Sequence, residues 1–72
     1  MTIGVKLSPD DLQAIAKLYE VRWTATIRNW KERDTDYCLW LVSCPNHKNH
    51  WITRIGTSLT EIITELLKEL DL

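Results

Sequence analysis

Four side chains that can ligate a metal ion lie within the stretch 38–50: Cys38, Cys44, His47 and His50. The last three have the spacing Cys-x2-His-x2-His across a turn, and thiolate and imidazole are the ligands that tetrahedral Zn²⁺ prefers. However, Cys38 lies a strand's length from this turn, and Cys44 is predicted to face the core. We therefore interpret the four residues as two thiols and two turn histidines, and we predict no metal site.

The same stretch contains a thiol nucleophile with a histidine as its base, namely Cys44 with His47 or His50. No segment of the chain resembles a nucleophile elbow or an oxyanion loop, which acyl-transfer chemistry needs. A domain of 72 residues also has little room for a catalytic cleft. We predict that the chain is not an enzyme and uses no cofactor.

Cysteine spacing also bears on the compartment. Cys38 and Cys44 lie on one predicted strand, which holds their Cα atoms about 20 Å apart, whereas a disulfide needs less than ~7 Å. Free thiols are typical of a reducing compartment. The sequence shows no signal-peptide pattern and no apolar run of the ~20 residues that a membrane span needs. We therefore predict a soluble cytoplasmic protein with no membrane partner.

The composition is that of a single small folded domain spanning residues 1–72. Hydrophobic residues make up 44% of the chain and charged residues 26%, which argues against disorder. The net charge of −1 is unevenly distributed. Segment 21–56 has six basic and three acidic side chains, whereas segment 57–72 has one basic and four acidic. The predicted sheet is therefore basic and the final helix acidic.

Amphipathic patterns predict a helix near each end of the chain. Ser8 and Pro9 favour a helix start, and apolar residues then recur at helical spacing over 9–20. Ser58 and Glu61 fit a capping box at the start of the final helix. That helix has a wide apolar stripe, which consists of Leu59, Ile62, Ile63, Leu66, Leu67 and Leu70.

Between the helices, three segments have the alternation or apolar content of β-strands: 21–30, 37–44 and 51–55. Polar residues 31–36 and the Pro- and Asn-containing stretch 45–49 separate them as turns. The sequence thus predicts an α+β domain of order α-β-β-β-α, with a three-stranded antiparallel sheet and two helices packed on one face. Residues 2–7 also alternate, so an extra short N-terminal strand stays open as an addition.

Strand pairing distributes the side chains between the two faces of this sheet. We predict that Trp30 opposes Tyr37 and that Cys44 opposes Trp51, because a shift of one residue in either pairing brings arginine into the core. The face expected under the helices carries Trp23, Ala25, Ile27, Trp40, Val42, Cys44, Trp51, Thr53 and Ile55. The opposite face carries the residues that we predict to bind a partner, which are Arg28, Trp30, Tyr37, Leu39, Leu41, Ile52 and Arg54.

An apolar sheet face bordered by Arg and aromatic residues favours protein binding, because exposed apolar patches and these residue types mark interaction sites. The alternative is that the N-terminal arm or a helix covers this face, which needs no partner. We expect stoichiometric action as an inhibitor, adaptor or small subunit, with a protein partner or as a homodimer. Small phage-encoded viral inhibitors of host machinery are similar to this chain in size and charge.

The order of elements and the length are similar to those of the double-stranded-RNA-binding domain, and this resemblance makes nucleic-acid binding the alternative function. In that family a basic cluster at the start of the last helix contacts phosphate, whereas residues 57–61 here read Thr-Ser-Leu-Thr-Glu. The net charge of −1 also contributes little counterion-release affinity. A basic and aromatic surface suited to single strands remains, and it consists of Arg22, Arg28, Trp30, Lys31 and Arg33.

Overall fold

The computed structural model describes residues 7–34 and 36–70. Their elements are α1 (Pro9–Val21), β1 (Thr26–Lys31), β2 (Cys38–Pro45), β3 (Trp51–Gly56) and α2 (Leu59–Glu69). The strands form one antiparallel sheet in the order β1-β2-β3. The predicted α-β-β-β-α fold is confirmed, and the strand considered over residues 2–7 lies, apart from Leu7, outside the described residues.

The helical layer packs on the sheet mainly through α2. This helix contacts β2 and β3, while α1 lies beside α2. The buried core is aliphatic apart from one thiol, and it consists of Leu18, Ala25, Val42, Cys44, Leu59, Ile62, Ile63, Leu66 and Leu70. Leu18 is the buried residue of α1, whereas α2 buries four of its side chains. The stability of the sheet therefore depends chiefly on α2.

Hydrogen bonds join the first turns of the two helices. The Ser8 hydroxyl accepts the Asp11 amide at 3.1 Å, and the Asp11 carboxylate accepts the Ser8 amide at 3.2 Å, which forms a capping box. The Thr60 hydroxyl at the start of α2 donates to the same carboxylate at 2.6 Å. The bond from Thr60, followed by those from Ser8, holds the pKa of Asp11 below its ordinary value despite the opposing effect of partial burial. The two helices thus begin at the same end of the molecule.

The pairing of β1 with β2 differs from the prediction by two residues. Trp30 opposes Leu39 rather than Tyr37, and Ile27 opposes Val42. Since side chains alternate with a period of two, this shift leaves each residue of the two strands on its predicted face. The hairpin is closed instead by the Glu32 amide, which donates to the Tyr37 carbonyl at 3.0 Å.

Trp23 was predicted to lie in the core, and this is wrong. The helix α1 continues to Val21, and the Arg22 amide caps it by donating to the Leu18 carbonyl at 2.7 Å. The Arg22 side chain donates from Nε to the Pro45 carbonyl at 2.8 Å, which attaches the end of α1 to the end of β2. Trp23 therefore lies in the connection before β1, where it is 82% exposed.

The pairing of β2 with β3 differs by one residue, which exchanges the two faces of β3. Ile52 opposes Cys44 and Arg54 opposes Val42, so both lie on the helix-covered face and not on the predicted binding face. Trp51, Thr53 and Ile55 were predicted to lie on the helix-covered face and instead lie on the opposite face.

Arg54 tolerates this position because β3 is an edge strand. Its guanidinium forms an ion pair with the Glu69 carboxylate of α2, and the two side chains remain 43% and 41% exposed. The charge thus stays at the surface while the backbone of Arg54 opposes the fully buried Val42. An exposed pair of this kind contributes only about 0–1 kcal/mol to stability. However, it avoids the cost of burying the Arg54 charge, and the predicted register was chosen to avoid that cost.

The observed register of β3 predicts opposite results for its two isoleucines. We expect Ile52→Ala to lower the free energy of unfolding by about 1–3 kcal/mol, because Ile52 is half-buried against the core and its removal leaves a cavity. We expect Ile55→Ala to change it by less than about 0.5 kcal/mol, because Ile55 is 58% exposed. Urea unfolding of both variants measures the difference. A larger loss for Ile55→Ala would support the register predicted from the sequence.

Candidate partner-binding face

The sheet has one face that neither helix covers, and we call it the open face. Side chains that oppose one another in antiparallel strands project to the same side, so the pairing defines its members. They are Thr26, Arg28 and Trp30 of β1, Leu39, Leu41, Ser43 and Pro45 of β2, and Trp51, Thr53 and Ile55 of β3. All ten are exposed or half-buried, in contrast to the buried residues on the helix-covered side.

Large apolar side chains occupy much of the open face. Leu39 and Leu41 lie in its centre and are half-buried by their neighbours on the sheet. Towards the β3 edge, Trp51 is 55% exposed and Ile55 is 58% exposed. Trp30 lies on the β1 edge, where its indole N–H donates to the Glu32 carboxylate at 3.2 Å. The surface is therefore apolar in the middle and aromatic at opposite edges.

A shallow concavity of about 370 Å³ lies within the open face. Its lining consists of Thr26, Arg28, Leu41, Ser43 and Trp51. The Ser43 and Thr53 hydroxyls share a hydrogen bond of 2.6 Å across β2 and β3, so these polar groups are satisfied within the sheet. An entering side chain would therefore meet the apolar surface of Leu41 and Trp51, the hydroxyls of Thr26 and Ser43, and one charged group.

Arg28 carries the only charge among the ten open-face residues. It is exposed, and its guanidinium makes no ion pair or hydrogen bond within the ranges 7–34 and 36–70. It opposes Leu41 directly, which opposes Ile55 on the next strand. The guanidinium thus lies at the end of an apolar row, with its five N–H donors available to an acceptor from outside.

The structure brings together four of the seven residues predicted to bind a partner: Arg28, Trp30, Leu39 and Leu41. Tyr37 precedes β2 at the margin of the open face and is 64% exposed. Ile52 and Arg54 lie on the other side of the sheet. Sequence reasoning missed Trp51 and Ile55, and the missed signal is Glu69, an acidic residue on the final helix with which Arg54 can pair.

The Cys and His residues do not gather in one place. Cys44 is fully buried in the core, which raises the pKa of its thiol because burial disfavours the thiolate. His47 and His50 are exposed in the turn between β2 and β3, where the Asn46 side chain accepts the His50 amide at 3.0 Å. Within the described part of the chain, no three His, Cys, Asp or Glu residues form a group able to hold a metal ion.

No helix in the described ranges has the length and apolar content required to cross a membrane. Comparison of the chain with protein-family models, with curated proteins and with solved structures finds no match.

Proposed function

We propose that this chain is a non-enzymatic protein-binding module whose open face receives an apolar segment carrying a carboxylate. One observation carries the proposal: a sheet face that neither helix covers places large apolar side chains around a guanidinium that has no partner among the described residues. Exposed apolar patches on small domains mark interaction sites, and Trp, Tyr and Arg dominate binding energy at such sites.

The apolar part of the face is large enough to support binding. Removing roughly 100 Å² of apolar surface from water at about 25 cal/mol per Å² contributes about 2.5 kcal/mol, and Trp51 and Ile55 each leave more than half of their surface exposed. Leu39, Leu41 and Trp30 extend the same patch across the sheet. Burial of these residues would contribute against the roughly 4–15 kcal/mol that association costs in lost freedom of motion.

The charge on the face indicates what the partner carries. A guanidinium binds a carboxylate through two parallel hydrogen bonds, and Arg28 opens onto the concavity where such a group would enter. The open face of a second copy offers Arg28 as its charged residue, and the nearby Glu32 carboxylate already accepts the Trp30 indole. Charge complementarity therefore favours a different protein, on which the chain acts stoichiometrically as an inhibitor, adaptor or small subunit.

Single-stranded nucleic acid is the second candidate ligand of the same face. Its support is the presence of Trp30 and Trp51 as exposed rings on the face that carries Arg28, with Tyr37 exposed at its margin, since bases stack on aromatic side chains beside a basic group. The net charge of −1 and the acidic Glu61 near the start of α2 disfavour it. Binding that weakens steeply with salt would identify nucleic acid, because counterions are released on binding.

Charge reversal at Arg28 tests the proposal. Affinity capture from the native host with the immobilised chain should retain a protein that Arg28→Glu retains at least tenfold less, because the reversal places two carboxylates together. Lys48→Glu makes the same change of charge in the exposed turn between β2 and β3 and should retain the protein as the unaltered chain does. Quantitative mass spectrometry of the captured proteins measures both.

Two results would contradict protein binding at this face. One is equal capture of the protein by Arg28→Glu and by the unaltered chain, when circular dichroism shows that both are folded. The other is binding of a labelled single-stranded oligonucleotide to the unaltered chain but not to Arg28→Glu. Its affinity would fall by about tenfold or more between 50 and 200 mM salt. The second result would assign the face to nucleic acid.

A further inference from the structure

A groove of about 350 Å³ runs between the two helices, and all of its lining residues belong to α1 or α2. Its apolar lining consists of Ala14 of α1 with Ile63 and Leu67 of α2, and Gln13 and Thr64 also line it. Ile63 is fully buried, and Ala14 and Leu67 are half-buried against the core. The groove exists because α1 lies beside α2 with a small alanine at the contact, so the neighbouring side chains leave space above it.

The two ends of the groove differ in charge. Lys17 of α1 and Lys68 of α2 line one end, and the ammonium group of neither makes an ion pair or hydrogen bond with the described residues. Asp10 lines the opposite end, beside Thr60. The Thr60 hydroxyl is already engaged by Asp11. An anion is thus attracted to the lysine end and repelled from the other.

We propose that this groove binds a small amphiphilic carboxylate, with the head group between Lys17 and Lys68 and the apolar tail along Ala14, Ile63 and Leu67. Two ammonium groups without partners, one from each helix, are complementary to a single carboxylate. The apolar lining matches a hydrocarbon tail. The site is separate from the open face, so its occupancy and the proposed protein binding can be tested independently.

The dimensions favour a small ligand over a docked helix. From Asp10 to Lys17 the groove follows two turns of α1, which is about 11 Å at 1.5 Å per residue. Its volume of about 350 Å³ lies at the lower end of the ~300–1,000 Å³ found for small-molecule sites. A partner helix needs apolar anchors over at least this length together with flanking surface, whereas a medium-length alkyl chain fills the groove alone.

The test is titration of decanoate, below its micelle concentration, into the isotopically labelled chain. We expect saturable shifts of the amide resonances of Lys17, Ile63 and Leu67. Decanol lacks the carboxylate and should bind at least tenfold more weakly. Lys17→Glu with Lys68→Glu should reduce decanoate affinity by at least tenfold and leave decanol affinity unchanged.

Two alanines of α1 provide a matched control for the shape of the groove. Ala14→Leu fills the groove and should abolish saturable binding, while Ala16→Leu adds the same side chain at an exposed position outside the groove and should leave binding intact. Equal affinities for decanoate and decanol, or shifts that persist in Ala14→Leu, would overturn the proposal. Linear shifts without saturation would likewise show nonspecific adsorption in place of a site.

Discussion

Leu41→Arg is expected to leave the domain folded and to abolish binding at the open face, whereas Val42→Arg is expected to unfold the domain. The two residues are neighbours on β2 and project to opposite sides of the sheet. Leu41 is half-buried and borders the concavity beside Arg28, so an arginine there can extend into solvent. It would place a second cation next to Arg28 and remove the apolar centre of the face.

Val42 has no comparable freedom because it is fully buried beneath the helical layer. An unpaired charge at such a position costs several kcal/mol even after the surrounding structure relaxes. A domain of this size has a total stability of roughly 4–11 kcal/mol, at about 0.05–0.15 kcal/mol per residue. The penalty is therefore comparable with the whole stability of the fold.

Circular dichroism and thermal unfolding of both variants separate these outcomes. Leu41→Arg should keep its helical signal and a cooperative transition, with at least tenfold weaker capture of the partner protein. Val42→Arg should show neither a native signal nor a transition. If Leu41→Arg also unfolds the chain, Leu41 is part of the core, and a binding role for the open face would be wrong.

The same two strands show how far sequence reasoning reaches. Their faces could be predicted because side chains alternate along a strand. Only one pairing parity keeps Arg28 of β1 out of the core, and it puts Val42 and Cys44 of β2 in the core and Leu41 and Ser43 on the other face. The two-residue shift of their pairing could not be predicted, since it changes no residue's face. It depends on the hairpin loop, where the Glu32 amide bonds to Tyr37 and Asp34 adopts a positive φ of 61°.

The third strand could not be oriented from its own residues. Residues 51–55 read Trp-Ile-Thr-Arg-Ile, so each face receives at least one apolar side chain. The prediction relied on keeping Arg54 out of the core, and this rule holds for a central strand. On an edge strand a long side chain can pass beyond the covering helix, and Arg54 does so to reach Glu69.

Tryptophan was the residue type that misled most. Trp23, Trp40 and Trp51 were expected to anchor the core, yet Trp23 and Trp51 are exposed and Trp40 is only half-buried against it. Aliphatic residues of α2 fill the core instead. A three-stranded sheet beneath one principal helix leaves a thin interior, and bulky rings at the sheet edges extend past it. The consequence for function is that much of the chain's aromatic surface is available for contact with a partner.

Because the interior is thin, truncating a single buried side chain of α2 should lower the stability of the domain strongly. Ile63 of α2 is fully buried and belongs to the core cluster, so we expect Ile63→Ala to lower the free energy of unfolding by about 2–5 kcal/mol. That loss corresponds to a fall in the melting temperature of at least about 10 °C for a domain of this length. Chemical and thermal unfolding measure the two quantities.

The next residue provides the control. Thr64 is exposed, and its hydroxyl donates to the Thr60 carbonyl at 2.7 Å within the helix. Thr64→Ala removes this bond but introduces a better helix former, so its effect should remain within about 0.5 kcal/mol. Where Ile63→Ala proves too unstable to refold, Ile63→Val should still show a loss of about 0.5–1.5 kcal/mol. Equal effects at positions 63 and 64 would mean that Ile63 does not contribute to the core through which α2 is held in the domain.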